Sequence, residues 1–151
     1  MKRLLLLLLC SSILFLGIIV NKANEYQVYK TYPQLEELTP AMAEKTANFI
    51  AKAKNEGYQI VIVQGYRTAA QQNACFAQGR VNNGSIITNA KGDNFESKHQ
   101  WGEAIDIIYT KNGKRFPPDE RLGQIGEECG LTWLGRCKNL GFADPYHFQN
   151  N

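Results

Sequence analysis

The sequence predicts a single small α+β domain in which a mainly antiparallel sheet packs with helices. Apolar residues recur at helical spacing in some segments and form short β-rich runs in others. The two kinds of segment are mixed along the chain without the regular strand–helix–strand alternation of a parallel sheet. The length of 151 residues is sufficient for one hydrophobic core, and therefore for one domain.

The N-terminus carries the most distinctive segment of the chain. An apolar run over residues 4–20 follows Lys2 and Arg3. Basic residues at the N-terminus before such an apolar run are typical of a signal peptide or an uncleaved membrane anchor. No good small-x-small cleavage site follows, which favours the anchor. We therefore predict an anchor or signal helix over residues 1–22 that places the rest of the chain outside the cytoplasm, followed by a tether over residues 23–38.

The first helix and strand of the domain have clear sequence signals. Thr39 and Pro40 mark a helix start, because Thr caps a first turn well and Pro fits the first helical position. Apolar residues then recur at helical spacing, and Gly57 ends the run. The β-rich run over residues 58–64 is apolar at its centre, which predicts a buried strand.

The second half of the domain begins with a predicted helix over residues 69–78, for which Thr68 is the candidate cap. A long irregular stretch over residues 80–98 follows, and long loops in compact domains are often functional. The remaining predicted elements are a strand over 104–109, a helix from Pro118 or Asp119 to Cys129, and strands over 131–134 and 146–149. The predicted domain extends over residues 39–151.

The charge balance argues against a nucleic-acid partner. The chain has 17 basic and 14 acidic residues, and three of the basic residues flank the N-terminal apolar run. The rest of the chain is therefore balanced and carries no excess positive charge, which makes nucleic acid a poor candidate for a partner. Cys75, Cys129 and Cys137 lie in the part predicted to be exported, where disulfides persist. At most one internal pair can form, and the sequence leaves its connectivity open. We expect a monomer.

The two histidines of the chain predict a metal site. Asp106 lies in an apolar strand, where a carboxylate is costly unless it is paired or bound to a metal. His99 ends the preceding loop, and Gly102 lets the chain bend so that both side chains can meet one ion. With His147, the set leaves the fourth position of tetrahedral zinc open for water. Asp144, three residues before His147, suits a general base acting on that water.

Each of these residues also has an ordinary structural interpretation. A lone histidine is usually a surface or core residue, and an aspartate in a strand can simply pair with a lysine or arginine. The joint pattern of three motifs in order outweighs these interpretations. The motifs are Gly65-Tyr66-Arg67-Thr68-x-x-x-Gln72, Ser97-x-His99-x-x-Gly102-x-Ala104-x-Asp106 and Asp144-x-x-His147.

This ordered set resembles the motifs of the zinc D-alanyl-D-alanine carboxypeptidases and L-alanyl-D-glutamate peptidases, which act on peptidoglycan and include phage endolysins. The zinc ligands that the resemblance implies are His99, Asp106 and His147. Asp144 would activate water and pass its proton to the leaving amine, and Arg67 would aid the oxyanion. Ser97 and Gln72 would help to seat the substrate peptide. The alternatives are a structural ion pair for Arg67 and a cap or turn for Ser97.

The resemblance implies a zinc peptidase that cuts peptidoglycan stem peptides, with its zinc site in a cleft. Asp144 stands where carboxypeptidase relatives more often carry Glu, and the stretch over residues 88–92 is closer to the endopeptidase branch. We therefore favour cleavage between L-Ala and D-Glu. The alternatives are a D-alanyl-D-alanine carboxypeptidase and a non-catalytic wall-binding module of the same fold. A membrane protein that only recruits partners would leave both histidine motifs unexplained.

Overall fold

A computed structural model describes residues 27, 30–136 and 143–151. The predicted anchor or signal segment over residues 1–22 and the thiol of Cys137 lie outside these ranges. The chain divides into two compact units, Met1–Tyr32 and Pro33–Asn151, and every element named below belongs to the second. No helix among the described residues is long and apolar enough to span a bilayer.

The second unit is built on a five-stranded sheet in which every pairing is antiparallel. The central strand β2 pairs with β1 along most of its length, with β5 at its first three residues and with β3 at its last three. Strand β4 pairs with the outer side of β5. The strands are β1 (Gln59–Gln64), β2 (Ala104–Lys111), β3 (Lys114–Phe116), β4 (Thr132–Trp133) and β5 (His147–Gln149).

Three α-helices lie in the described part of this unit. Thr39 and Thr68 are the caps that the sequence predicts, and Asp119, one of the two predicted starting residues of the third helix, is the cap of that helix. The side chains of Thr39, Thr68 and Asp119 each accept a hydrogen bond from the backbone N–H three residues later. The predicted α+β class is therefore confirmed. The helices are α1 (Pro40–Asn55), α2 (Ala69–Ala77) and α3 (Glu120–Glu128), and short 3-10 helices cover Pro33–Glu37 and Lys98–Trp101.

The hydrophobic core centres on Phe148 of β5, which is fully buried. Its ring lies 4.9 Å from that of Phe49 in α1 and 6.2 Å from that of Trp133 in β4, measured between centroids. Successive strand residues point to opposite faces of a sheet. Burial of Phe148 therefore turns the side chains of His147 and Gln149 to the other face, away from this core.

Helix α3 approaches Phe148 so closely that a side chain on Gly126 would not fit. A Cβ atom at Gly126 would lie 2.5 Å from Cε1 and 2.7 Å from Cδ1 of the Phe148 ring. Because the ring is clamped by its aromatic neighbours, it has little freedom to move aside.

Both described cysteines, Cys75 and Cys129, are half-buried free thiols. Burial raises the pKa of Cys129 above its ordinary value, with nearby Glu128 adding to the effect and Lys52 opposing it. A raised pKa keeps the Cys129 thiol protonated and so less reactive.

Replacement of Gly126 by alanine should lower the free energy of unfolding by about 1–3 kcal/mol, the usual cost of overpacking a filled core. Helix propensity alone would favour alanine by roughly 0.5–1 kcal/mol, so the sign of the change identifies the dominant effect. Denaturant unfolding measures it. Gln124→Ala, at an exposed position of the same helix, is the control and should change stability little. A Gly126→Ala variant as stable as the parent would contradict this packing.

Candidate metal centre

The pairing of β2 with β5 places Asp106 directly opposite His147. Side chains at such positions start about 4.5–5.5 Å apart, close enough for direct contact. Asp106 Oδ1 lies 3.0 Å from His147 Nδ1. A slip of one residue would send the two side chains to opposite faces of the sheet. Because Phe148 must remain in the core, the register and hence this contact are fixed by hydrophobic packing.

His99 reaches the same place from the 3-10 helix that precedes β2. Its side chain is buried, with Nε2 at 3.2 Å from His147 Nδ1 and 3.3 Å from Asp106 Oδ1. The other ring nitrogen, Nδ1, donates to the carbonyl oxygen of Gly65 at 2.7 Å. The backbone carbonyl of His99 accepts the N–H of Arg67 at 3.1 Å. The loop after β1 therefore holds His99 at both its ring and its backbone.

The predicted bend between His99 and β2 is formed by Gly102. Its φ is +66°, in the left-handed region that glycine adopts without steric cost. A Cβ atom there would lie 2.9 Å from the carbonyl oxygen of Glu37, and the Gly102 carbonyl accepts the N–H of Thr39 at 3.0 Å. The bend is thus packed against the start of α1, which fixes the direction in which β2 leaves the 3-10 helix.

The hydrogen bonds around the two imidazoles indicate which ring nitrogens face the cluster as lone pairs. A carbonyl oxygen only accepts, so His99 carries its proton on Nδ1 and keeps a lone pair on Nε2. His147 Nε2 lies 3.1 Å from Gln149 Oε1, another acceptor. The lone pair of His147 is therefore on Nδ1. Together with Asp106 Oδ1, three acceptor atoms face one another at 3.0–3.3 Å.

Three mutually facing acceptors repel unless a cation lies among them, and their spacing fits a metal ion. The ligand atoms of His99, Asp106 and His147 all lie within 4.8 Å of one another. In tetrahedral zinc sites with ligand bonds of about 2.0–2.2 Å, neighbouring ligand atoms are about 3.3–3.5 Å apart. Among the described residues, this is the group of side chains that could hold a metal ion.

The carboxylate of Asp106 is held in its ionised form. Burial by itself raises the pKa of Asp106, but the neighbouring imidazoles of His147 and His99 outweigh burial and keep this pKa well below its usual range. Asp106 therefore offers a charged oxygen to a cation.

Arg67 lies on the far side of the carboxylate from the imidazoles. Its Nη2 is 3.5 Å from Asp106 Oδ2, and its Nη1 donates to Gln72 Oε1 at 2.7 Å. The buried Nε–H of Arg67 has no hydrogen-bond partner among the described residues. The ion pair that was the alternative interpretation of Arg67 is therefore present, and its predicted action on an oxyanion stays a prediction.

Gln72 is fully buried behind Arg67. Its amide nitrogen donates to Ala90 O at 2.9 Å and to Thr88 Oγ1 at 3.4 Å, so the side chain links Arg67 to the irregular loop. The role in seating the substrate that was predicted for Gln72 stays a prediction; in this structure its buried side chain contacts Arg67 and the irregular loop.

Ser97 and Asp144 lie on the segments that lead into the two histidines. Ser97 is the N-cap residue of the Lys98–Trp101 helix and is half-buried. Asp144 is also half-buried, and its Oδ1 accepts the N–H of Tyr146 at 3.0 Å in the turn before β5. Asp144 is not part of the three-residue cluster, which is compatible with a base rather than a ligand. The roles of both side chains stay predictions.

Two partners of the cluster were missed by sequence reasoning. Gln149 carried a usable signal, because residues two apart on a strand share a face and Gln149 follows His147 at that spacing. The carbonyl of Gly65 carried none, since a backbone acceptor is common to every residue and only the folded chain shows which one faces His99.

Replacement of Arg67 by methionine should destabilise the protein by about 1–3 kcal/mol, because it leaves Gln72 Oε1 buried without this donor and Asp106 without its cation. Thermal or denaturant unfolding of the metal-free protein measures the loss. Arg115→Met, at an exposed position of β3, is the control and should change stability by less than about 0.5 kcal/mol. Equal stability of the two variants would show that the Arg67 contacts contribute nothing.

Comparison with known proteins identifies the family. The model of the VanY D-alanyl-D-alanine carboxypeptidases matches residues 35–151. The chain is 34% identical over 112 residues to the peptidoglycan L-alanyl-D-glutamate endopeptidase CwlK of Bacillus subtilis (strain 168), a match that covers 73% of this chain and 66% of that protein. The chain thus spans just under two thirds of this relative's length.

Two solved structures share the fold. The L-Ala D-Glu endopeptidase ChiX of Serratia marcescens superposes with a TM-score of 0.58 at 16% identity, covering 79% of this chain and 84% of that one. A variant of the vancomycin resistance D,D-pentapeptidase VanY, solved in complex with Zn(II), gives 0.55 at 16% identity over 75% and 72% of the two chains. The resemblance found in the sequence is confirmed, and the chain belongs to the VanY D-alanyl-D-alanine carboxypeptidase family.

Proposed function

We propose that this chain is a zinc-dependent peptidase that hydrolyses peptide bonds in the stem peptides of bacterial peptidoglycan. The observation that carries this proposal is the meeting of His99 Nε2, His147 Nδ1 and Asp106 Oδ1 at 3.0–3.3 Å with their lone pairs turned inward. Membership of the VanY family supports it. The names of the relatives CwlK and ChiX point to the same class of reaction.

Zinc is the metal that the donor set favours. Two imidazoles and one carboxylate are a known set for catalytic zinc, with one position left open. The related VanY structure holds Zn(II). When bound, zinc supplies a Lewis acid that polarises a peptide carbonyl and lowers the pKa of a water molecule towards ~7.

Side chains of this protein are proposed to transfer the proton and to supply the positive charge that the reaction needs. Asp144 is proposed to take a proton from the attacking water and to deliver it to the leaving amine. Its contact with the Tyr146 N–H orients the carboxylate in the turn before His147. The guanidinium of Arg67, whose Nη2 lies 3.5 Å from Asp106 Oδ2, is proposed to stabilise the developing oxyanion or to bind a substrate carboxylate. Ser97 is proposed to contact the substrate peptide directly, and Gln72 through Arg67.

The bond between L-Ala and D-Glu is the cleavage site that we favour. The curated relative at 34% identity is named for this activity, and Asp144 occupies the position where carboxypeptidase relatives more often have Glu. Release of the terminal D-Ala is the second candidate, favoured by the description of the family model. Both activities need the same metal and base, so only the position of the stem peptide relative to the metal distinguishes them.

A peptidoglycan substrate places the proposed site outside the cytoplasm. This agrees with an anchor or signal over residues 1–22 and a tether over residues 23–38, which we retain as proposals together with a monomeric state. In this arrangement the peptidase domain over residues 39–151 would act on the wall close to the membrane surface.

Replacement of Asp144 by asparagine should separate metal binding from catalysis. The variant should bind one zinc per chain and lose activity on purified peptidoglycan by about 10²–10⁴-fold, the range for loss of a general base. His147→Ala should lose both properties. Elemental analysis of the protein and assay of newly released amino groups measure them. Asp119→Asn is the control, because asparagine caps a helix as well as aspartate.

Loss of zinc from Asp144→Asn would show that Asp144 is a ligand, and retention of full activity would show that it is not the base.

Digestion of a muropeptide with N-acetylmuramic acid on a stem pentapeptide should identify the bond. We expect mass spectrometry to find the sugar attached to L-Ala alone and a free tetrapeptide that begins with D-Glu. The sugar is needed as a label of the L-Ala end. Without it, loss of L-Ala from one end and loss of D-Ala from the other would give peptides of the same mass. Release of D-Ala alone would replace the endopeptidase by the carboxypeptidase. A zinc-loaded protein that binds but never cuts would favour the non-catalytic module.

A further inference from the structure

Gln149 follows His147 at a spacing of two on β5, so the two side chains project from the same face of the sheet. Gln149 Oε1 lies 3.1 Å from His147 Nε2. The opposite nitrogen of the same ring, Nδ1, is the atom that faces Asp106 and His99. The His147 ring therefore bridges Gln149 and the proposed metal site.

We propose that Gln149 is a positioning residue of the metal centre, which holds His147 in the tautomer that presents the Nδ1 lone pair to the metal. This inference rests on the proposed function. A neutral imidazole carries a single N–H, and the hydrogen bond at one nitrogen decides the state of the other. Because Oε1 only accepts, it places the proton on Nε2.

With the Gln149 amide oriented as in this structure, Oε1 towards the ring, the opposite tautomer is unfavourable at both ends of the ring. A proton on Nδ1 would occupy the place of the metal beside Asp106, and the bare Nε2 would face the lone pairs of Gln149 Oε1. Gln149 therefore disfavours the form of His147 that cannot bind a metal. It also restrains rotation of the ring, since a turn about its axis would break the bond at Nε2.

The sheet fixes the backbone position of Gln149, from which its side chain can orient the His147 ring. Its backbone lies between two strands, opposite Ala104 of β2 on one side and Thr132 of β4 on the other. The next residue, Asn150, donates its N–H to the carbonyl of Glu103 at 2.9 Å. The side chain of Gln149 thus extends from a fixed backbone position that shares the register of Asp106 and His147.

The two histidines are oriented by different means. His99 is held by the backbone carbonyl of Gly65 at 2.7 Å, a contact that any residue at that position would provide. His147 is held by a side chain, so its orientation depends on residue 149 and can be changed by substitution. Loss of such a partner typically weakens metal binding by about 10–100-fold.

The test compares zinc affinity in three variants of the full chain by competition with a chelator. Gln149→Leu keeps the bulk of the side chain and removes the acceptor, so zinc binding should weaken by about 10–100-fold. Gln149→Glu restores an acceptor and should bind zinc at least as tightly as the parent. Gln59→Leu is the matched control, because Gln59 Oε1 also accepts at 3.1 Å, from the hydroxyl of Thr110 in the same sheet.

A second readout reports the tautomer without any metal. Nitrogen-15 NMR of the metal-free protein should show His147 protonated on Nε2 in the parent and in Gln149→Glu, with that preference lost in Gln149→Leu. If the leucine variant does not fold, the glutamate variant and the parent spectrum decide. Protonation of His147 on Nδ1 in the parent, equal zinc affinity in Gln149→Leu and Gln59→Leu, or no recovery in Gln149→Glu would each overturn the proposal.

These outcomes are distinct from failure of the proposed function. A parent protein that binds zinc and cuts peptidoglycan, together with an unaffected Gln149→Leu variant, would remove only the role of Gln149. A parent that binds no zinc would remove the metal centre itself and with it this inference.

Discussion

The register between β2 and β5 is the constraint on which the site depends. It places Asp106 opposite His147, and it is held by Phe148, whose ring fills the core between Phe49 and Trp133. One proposed metal ligand, His147, and the centre of the hydrophobic core, Phe148, are therefore adjacent residues of one short strand. Since a slip by one residue would exchange the two faces, burial of Phe148 disfavours such a slip and keeps His147 on the face of the site.

The second requirement is electrostatic. Three acceptor atoms from His99, Asp106 and His147 converge at distances that are unfavourable for acceptors alone and suitable around a cation. Neighbouring groups maintain that arrangement. The oxygens of Gly65 and Gln149 accept hydrogen bonds from the ring nitrogens that point away from the cluster, and Arg67 pairs with Oδ2 of Asp106. The fold thus holds three acceptor atoms facing one another, and a divalent ion among them would remove their mutual repulsion.

Local sequence signals predicted most of the elements and all three members of the cluster. Helix caps at Thr39, Thr68 and Asp119 are local, and the apolar strand around Asp106 is visible from its composition. The register was not predictable, because alternation shows which residues share a face but not which strands are neighbours. For the same reason the sequence could not show that Gln72 is enclosed behind Arg67, nor that a backbone carbonyl orients His99.

The most direct test of the account is to locate the metal. Anomalous diffraction at the zinc edge, from crystals of the zinc-loaded protein, gives its position independently of any assay. We expect one zinc bound to His99 Nε2, His147 Nδ1 and a carboxylate oxygen of Asp106, at about 2.0–2.2 Å from each. A zinc held elsewhere, or bound through His147 Nε2, would contradict the donor set described above.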